Sequence, residues 1–331
     1  MKKALILLTL SGALVANAQD FHLSQYDAVP MLLNPAHTGM YENQMGDFKG
    51  YLDYRSQWRS LGGKPFSKAV LGYDMKLRKW EKNIGIGGVI INDRAGSGNF
   101  NTLTILVGGA YDIMNNAESK HYLTTGLQLG MFHKSFNPAN YTFDVQYNSS
   151  QGGFDQTMSN QEVFANTAIF KFDANMGIYY KFLDAEKMVR PYGGFSIQHL
   201  NRANESFTGQ KSKLPMRFNL NGGAEVELND KVDLVPRFLF MHSARAQEIN
   251  AGLLAWMLIK ESGYKVMLGA DYRHKDAVVA HIGVKHNQDI FRISYDVNTS
   301  YLNNFTGGRG AWEISLILTG EKGKPFFQSR F

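Results

Sequence analysis

The stretch PMRFNLNGGAEVEL (residues 215–228) places Met216, Phe218, Leu220, Ala224, Val226 and Leu228 on one face, and Arg217, Asn219, Asn221, Glu225 and Glu227 on the other. Successive side chains of an extended chain point to opposite sides, so a period of two marks a strand with one apolar and one polar face. FDANMGIYYKF (172–182) repeats the device, with Phe172, Ala174, Met176, Ile178, Tyr180 and Phe182 opposite Asp173, Asn175, Gly177, Tyr179 and Lys181. DIFRISYDVN (289–298) sets Phe291, Ile293, Tyr295 and Val297 against Arg292, Ser294, Asp296 and Asn298. WEISLIL (312–318) carries Glu313 and Ser315 on its polar side.

Working outward, the same alternation predicts strands near 48–56, 67–77, 84–93, 101–113, 119–133, 165–182, 188–200, 214–228, 231–242, 247–259, 264–274, 276–286, 289–299 and 309–319. That is fourteen, an even number. Most segments reach the ~9–11 residues that a tilted strand needs to cross a bilayer. Soluble sandwiches favour strands of ~5–6 residues. The reading is therefore all-β: a single-chain transmembrane outer-membrane β-barrel of about 14 antiparallel strands. A large soluble sandwich that buries the same faces against each other is the alternative.

A magnitude sets the register. Arg or Lys on a lipid-facing surface costs ~2–4 kcal/mol near the midplane. Polar faces turned outward would expose Lys171, Lys181, Arg217, Arg273 and Arg292. The summed cost would rival the ~5–15 kcal/mol stability of a whole domain. The apolar faces are thus expected on lipid, and the bases in the lumen beside Asp173, Glu225, Asp271, Asp296 and Glu313. Connections alternate between tight (229–230, 261–263, 287–288) and long (134–164, 201–213, 300–308), the asymmetry of short periplasmic turns and long outer loops. Pro191 and Pro236 each remove a ladder donor, so a bulge or strand end is expected at both.

The chain opens with a leader pattern: Lys2 and Lys3, an apolar run Ala4–Val15, then Ala16-Asn17-Ala18. Segments are expected as 1–18 leader, 19–46 an N-terminal periplasmic or plug segment, 47–320 barrel and 321–331 tail. There is no cysteine among 331 residues, which excludes disulfides, thiol nucleophiles and thiolate metal sites. A net charge of +6 is dispersed, not clustered, and gives no nucleic-acid footprint.

Catalytic signals are weak. Nine histidines are scattered without converging acidic partners, so no metal or other cofactor is expected. Ser196 and His199 share one strand and are the pair that an outer-membrane hydrolase would need to bring together, but no motif singles them out. The glycine run at 84–88 is followed by no helix and is not a phosphate cradle.

Three ordered stretches carry a resemblance. The first holds Ser24-Gln25-Tyr26, then Leu33-Asn34-Pro35-Ala36 and Gly39. The second is YLDYRSQWRSLGGKPF (51–66), with Tyr54-Arg55, Gln57-Trp58 and Pro65-Phe66. The third is ISYDVNTSYLNNFTGGRGAWEISL (293–316). Together they resemble the PorP/SprF-like proteins of the type IX secretion and gliding-motility system. The resemblance implies a non-enzymatic outer-membrane barrel that anchors or helps export a secreted, adhesin-like surface protein. It also implies contact with periplasmic secretion or peptidoglycan-linked proteins. A porin or hydrophobic-compound channel is the first alternative and a hydrolase the second.

Fourteen strands enclose a lumen that strand side chains alone do not fill. Residues 19–46 are expected to fold into the lower lumen or cap its mouth, or else to form a periplasmic tail. In the first case Pro30 and Pro35 preset turns, and Tyr26 and Asn34 hydrogen-bond to lumen groups. Tyr54, Arg55, Gln57, Trp58, Arg217, Glu225, Asp296 and Glu313 are expected in the barrel wall and its lumen network. The terminal Phe331 fits the aromatic end common among barrels.

Overall fold

A closed antiparallel ring of fourteen strands forms the body of the protein, seen in a computed structural model that describes residues 23–40, 46–61, 64–79, 82–96, 99–114, 119–259 and 263–321. In chain order they are β1 (Phe48–Gln57), β2 (Phe66–Lys79), β3 (Lys82–Ala95), β4 (Phe100–Asp112), β5 (His121–Ser135), β6 (Ala168–Phe182) and β7 (Val189–Gln198). The second half is β8 (Arg217–Asn229), β9 (Val232–Ser243), β10 (Ala246–Ile259), β11 (Tyr264–Arg273), β12 (Ala277–His286), β13 (Asp289–Asn298) and β14 (Arg309–Gly320). All fourteen expected strands are present and the sandwich alternative falls. The expected leader and Phe331 lie outside the described residues.

Each strand pairs with its sequence neighbour, and β1 closes on β14 from Phe48↔Gly320 to Gln57↔Ala311. Closure is a physical requirement, because hydrocarbon offers no partner to a free row of backbone N–H and C=O groups. No described helix is long and apolar enough to cross a membrane.

The alternation read from sequence maps onto the two surfaces. Val107, Leu129 and Phe172 point outward with 65%, 58% and 68% of their surface exposed. Their neighbours Gln128 and Asp173 point inward and are buried. Pro236 departs from expectation. The β8–β9 ladder lapses between Gly223↔Arg237 and Val226↔Leu234, opposite the ring that cannot donate, yet the register on either side is unshifted. There is a gap and no bulge. Pro191 lies just beyond Lys181↔Tyr192, where the β6–β7 ladder ends, so its missing N–H faces no partner strand.

The long connections all leave one end of the barrel, which also carries the tight β9–β10 and β11–β12 turns at 244–245 and 274–276. At the long-loop end the β5–β6 and β7–β8 connections are knit together: Phe136 meets Phe164 at 5.0 Å and Phe207 at 4.8 Å, and Asn166 N–H donates to Phe207 O at 3.1 Å.

Because Leu129 faces lipid from the middle of β5, Leu129→Arg should destabilise the barrel by about 2–4 kcal/mol. Unfolding titrations in lipid vesicles would read this, while a substitution of the same size at exposed loop residue Val163 should shift the midpoint little.

Candidate functional site

Residues 23–40 lie inside the ring. Ser24, Gln25, Val29, Asn34, Ala36 and Thr38 have no exposed surface beyond 0%. The segment contains one helical turn, α1 (Pro30–Leu33), followed by a 3-10 turn at Pro35–His37; both prolines sit at the first helical positions, where the missing N–H costs nothing. It was expected in the lower lumen or across the mouth. Instead it runs through both levels, from the short-turn end at Gly39 up to Ser24 near the long-loop end. An irregular chain can occupy this depth only if its backbone is satisfied by polar groups from the wall.

At the upper level, Ser24 enters a neutral quartet of two guanidiniums and two carboxylates. Arg55 Nη2 lies 2.9 Å from Asp296 Oδ2, Arg55 Nη1 3.1 Å from Glu313 Oε2, and Arg273 Nη2 2.7 Å from Asp296 Oδ2. Ser24 Oγ donates to Asp296 at 2.8 Å and accepts from Arg55 Nη1 at 2.6 Å. The N–H groups of Ser24 and Gln25 each donate to one Glu313 oxygen at 2.8 Å. Gln25 completes the tie, accepting from Ser315 Oγ at 2.6 Å and donating to Ser294 Oγ at 3.2 Å. Buried ions are tolerated when paired and hydrogen-bonded, and every member of this quartet has an ion-pair partner within it.

Below it sits Asp27, which sequence reasoning did not single out. Its oxygens lie 2.8 Å from Arg237 Nη1 and 2.8 Å from Arg292 Nη1. Arg237 also pairs with Asp271, which His281 Nε2 approaches at 3.1 Å. Asp27 thus gives Arg292 and the second face of Arg237 a carboxylate, and no motif in the sequence marked it.

At the lower level the Asn34-Pro35-Ala36 turn rests on glycine. Gly126 and Gly177 face each other across β5 and β6. A Cβ on Gly126 would come within 2.3 Å of Pro35 O, and one on Gly177 within 2.0 Å of Asn34 Oδ1. Asn34 Oδ1 accepts from Ala36 N–H, capping the turn, while Nδ2 donates to Ile178 O at 2.9 Å. Wall side chains then take up the segment's carbonyls: Gln128 donates to Met31 O, Gln198 to Leu32 O, Ser196 to Leu33 O and Thr124 to Ala36 O, at 2.6–2.9 Å. Gly39, at φ +61°, turns the chain out and donates to Asp74 Oδ2 at 2.8 Å. His37 packs on Tyr179 with ring centroids 4.2 Å apart.

Other expected site residues fall elsewhere. Tyr26 makes no hydrogen bond through its hydroxyl among the described residues; its ring lies 4.7 Å under the Arg237 guanidinium. Tyr54 is on the lipid face, 5.3 Å from Trp312, because its parity is opposite to that of Arg55. Gln57 is buried in the wall, and Trp58 follows β1 at φ +58° with its ring on Phe66. Arg217 bonds Gln198 at the long-loop end, whereas Glu225 bonds Lys181 at 2.7 Å toward the other, so neither joins the Arg55–Asp296–Glu313 group. Ser196 Oγ is committed to Leu33 O, and His199 Nδ1 lies 3.0 Å from Asp173, so the two do not form a nucleophile–base pair. No group of three metal-ligating side chains converges among the described residues.

The segment leaves open space on each side. One open space, toward the long loops, is lined by Leu23, Leu32, Phe132 and Leu239, with Lys68 and Arg217 on its walls. A second, toward the short turns, is lined by Asp27, His37, Arg190, Glu225 and Arg292.

The absence of native cysteine makes a single introduced thiol a clean reporter of this seating. Ala36→Cys should resist a water-soluble maleimide in the intact barrel. Adding Gly126→Val, whose side chain occupies the place of Pro35 O, should make it label rapidly. Equal labelling of both proteins would show that the glycine landing does not hold the segment.

Among solved structures, the Ralstonia pickettii toluene transporter TbuX is similar at 10% identity and TM-score 0.48, over 87% of this chain and 91% of that one. The Pseudomonas putida toluene transporter TodX is similar at 11% identity and TM-score 0.44, over 86% and 90%. No curated protein matches. The profile described as Type IX secretion system membrane protein PorP/SprF matches residues 15–318. That span takes in the lumenal segment and nearly the whole ring, and the chain belongs to the PorP/SprF family of type IX secretion membrane proteins.

Proposed function

We propose that this barrel is a closed platform in the outer membrane that holds a secreted, adhesin-like surface protein at its long-loop end and assists its export. Periplasmic secretion or peptidoglycan-linked proteins would engage the short-turn end. The observation that carries this reading is the segment 23–40, fixed across the lumen by buried ion pairs and by wall side chains at every level. A solute pore needs an open path, whereas an anchor needs a rigid, sealed ring. Ser24, Gln25, Asn34, Pro35, Ala36 and Gly39 serve as plug residues here, and Arg55, Asp296 and Glu313 as its upper anchor.

The long loops supply the client surface, since recognition is usually carried by loops on a rigid scaffold. In the β5–β6 connection Val163 is 83% exposed, and Tyr147, Phe154 and Met158 are exposed near it. Apolar side chains in that density on an outer loop favour a protein partner.

Two measurements test the reading. Deleting residues 23–38 should raise single-channel conductance in planar bilayers well above the small value of the intact protein; unchanged conductance would remove the plug. Replacing residues 141–163 by a short Gly/Ser linker should strip the client from the cell surface while the barrel still assembles. A client retained at full level would overturn the anchoring role.

A further inference from the structure

On the outer wall at the long-loop end, β1, β13 and β14 build a pocket lined by Ser56, Arg59, Ser60, Tyr295, Arg309 and Trp312. No carboxylate among the described residues lines it. Arg59 and Arg309 are exposed and form no ion pair among the described residues. Both are positioned by neutral groups: Arg59 Nε donates to Ser56 Oγ at 3.2 Å, and Arg309 Nε to Thr306 O at 3.3 Å. The Arg59 guanidinium also stands 5.9 Å from the Trp312 ring centre. Ser60 Oγ is buried with no hydrogen-bond partner among the described residues.

Geometry separates this pocket from the client surface. Tyr54, Tyr295 and Trp312 share the outward parity of their strands, so the pocket opens along the lipid face below the rim, not over the mouth. Aromatic side chains at this height mark the boundary between headgroups and acyl chains. Two unpaired guanidiniums just above them present fork-shaped donors that match phosphate. Elsewhere in this barrel the buried guanidiniums are matched with carboxylates, as Arg55, Arg237 and Arg273 are. A site that is cationic above, aromatic below and open to the bilayer fits a ligand with an anionic head and an apolar body.

We propose that this pocket binds the phosphorylated headgroup of an outer-leaflet glycolipid of the lipid A class. Arg59 and Arg309 clasp the phosphate, the Ser60 hydroxyl donates to it, and the sugar or first acyl carbons lie against Trp312 and Tyr295. Basic pockets at membrane interfaces bind lipid headgroups by this combination.

The test uses the full-length barrel purified in mild detergent, with native mass spectrometry reading bound lipid during titration with bis-phosphorylated lipid A, its dephosphorylated form, and inorganic phosphate. The wild-type protein should retain the phosphorylated lipid. Arg59→Gln/Arg309→Gln should lose about tenfold or more in affinity, the scale of one charge-assisted hydrogen bond. Dephosphorylated lipid should bind the wild type as weakly as phosphorylated lipid binds the variant, an arm that needs no variant to fold. Arg59→Lys/Arg309→Lys, which keeps charge but not the fork, should fall between. Equal affinity for phosphorylated and dephosphorylated lipid would overturn the proposal. So would inorganic phosphate competing as well as the whole lipid, which would make the site one for free anion. A double variant that keeps its lipid but loses the surface client would make the patch a protein-docking face and overturn it too.

Discussion

The whole structure depends on the ring closing between β1 and β14. Hydrocarbon solvates neither a free strand edge nor a charge, so an apolar exterior and a polar interior can coexist in one sheet only when no edge is left. Once the ring closes, every second residue is committed to the lumen. Fourteen strands then surround more space than those side chains fill. The interior polar groups need partners that the wall alone does not offer in sufficient number.

Residues 23–40 answer that need, and the match runs in both directions. The segment has no sheet to satisfy its carbonyls, and the wall has Thr124, Gln128, Ser196 and Gln198 aimed inward with donors to give. The wall turns Arg237 and Arg292 inward, and Asp27 gives both a carboxylate. At the other extreme, Gly126 and Gly177 strip the wall to bare backbone where the Asn34-Pro35-Ala36 turn must come closest. Ionic pairing, hydrogen bonding and shape therefore act at three separate heights of the lumen.

The lipid face obeys a different rule. Most of it is aliphatic and makes no specific contact, as a surface dissolved in acyl chains should. The exception lies under the long loops, where Tyr54, Tyr295 and Trp312 meet two arginines lacking acidic partners. Inside the barrel an arginine is neutralised by the protein; at this rim Arg59 and Arg309 form no ion pair among the described residues.

Sequence alone determined the ring: a period of two is local, survives without knowledge of neighbours, and sorts Arg292 and Asp296 from Phe291 and Tyr295 by parity. It also marked the opening motif, because Asn-Pro-Ala and the flanking glycine are written contiguously. It did not reveal that Ser24 meets Asp296 across 272 positions of chain, nor that Asp27 pairs with residues 210 and 265 positions away. It grouped Tyr54 and Arg55 in one wall-and-lumen set without separating the two sides to which a single step of the pleat sends them, and it listed Arg217 and Glu225 together without showing that eight extended residues hold them at opposite levels. Which lumenal groups meet, and how high the segment climbs, depend on strand register and on distances around a closed circumference. Those are properties of the folded ring, set by the sum of its pairings and carried by no single stretch of chain.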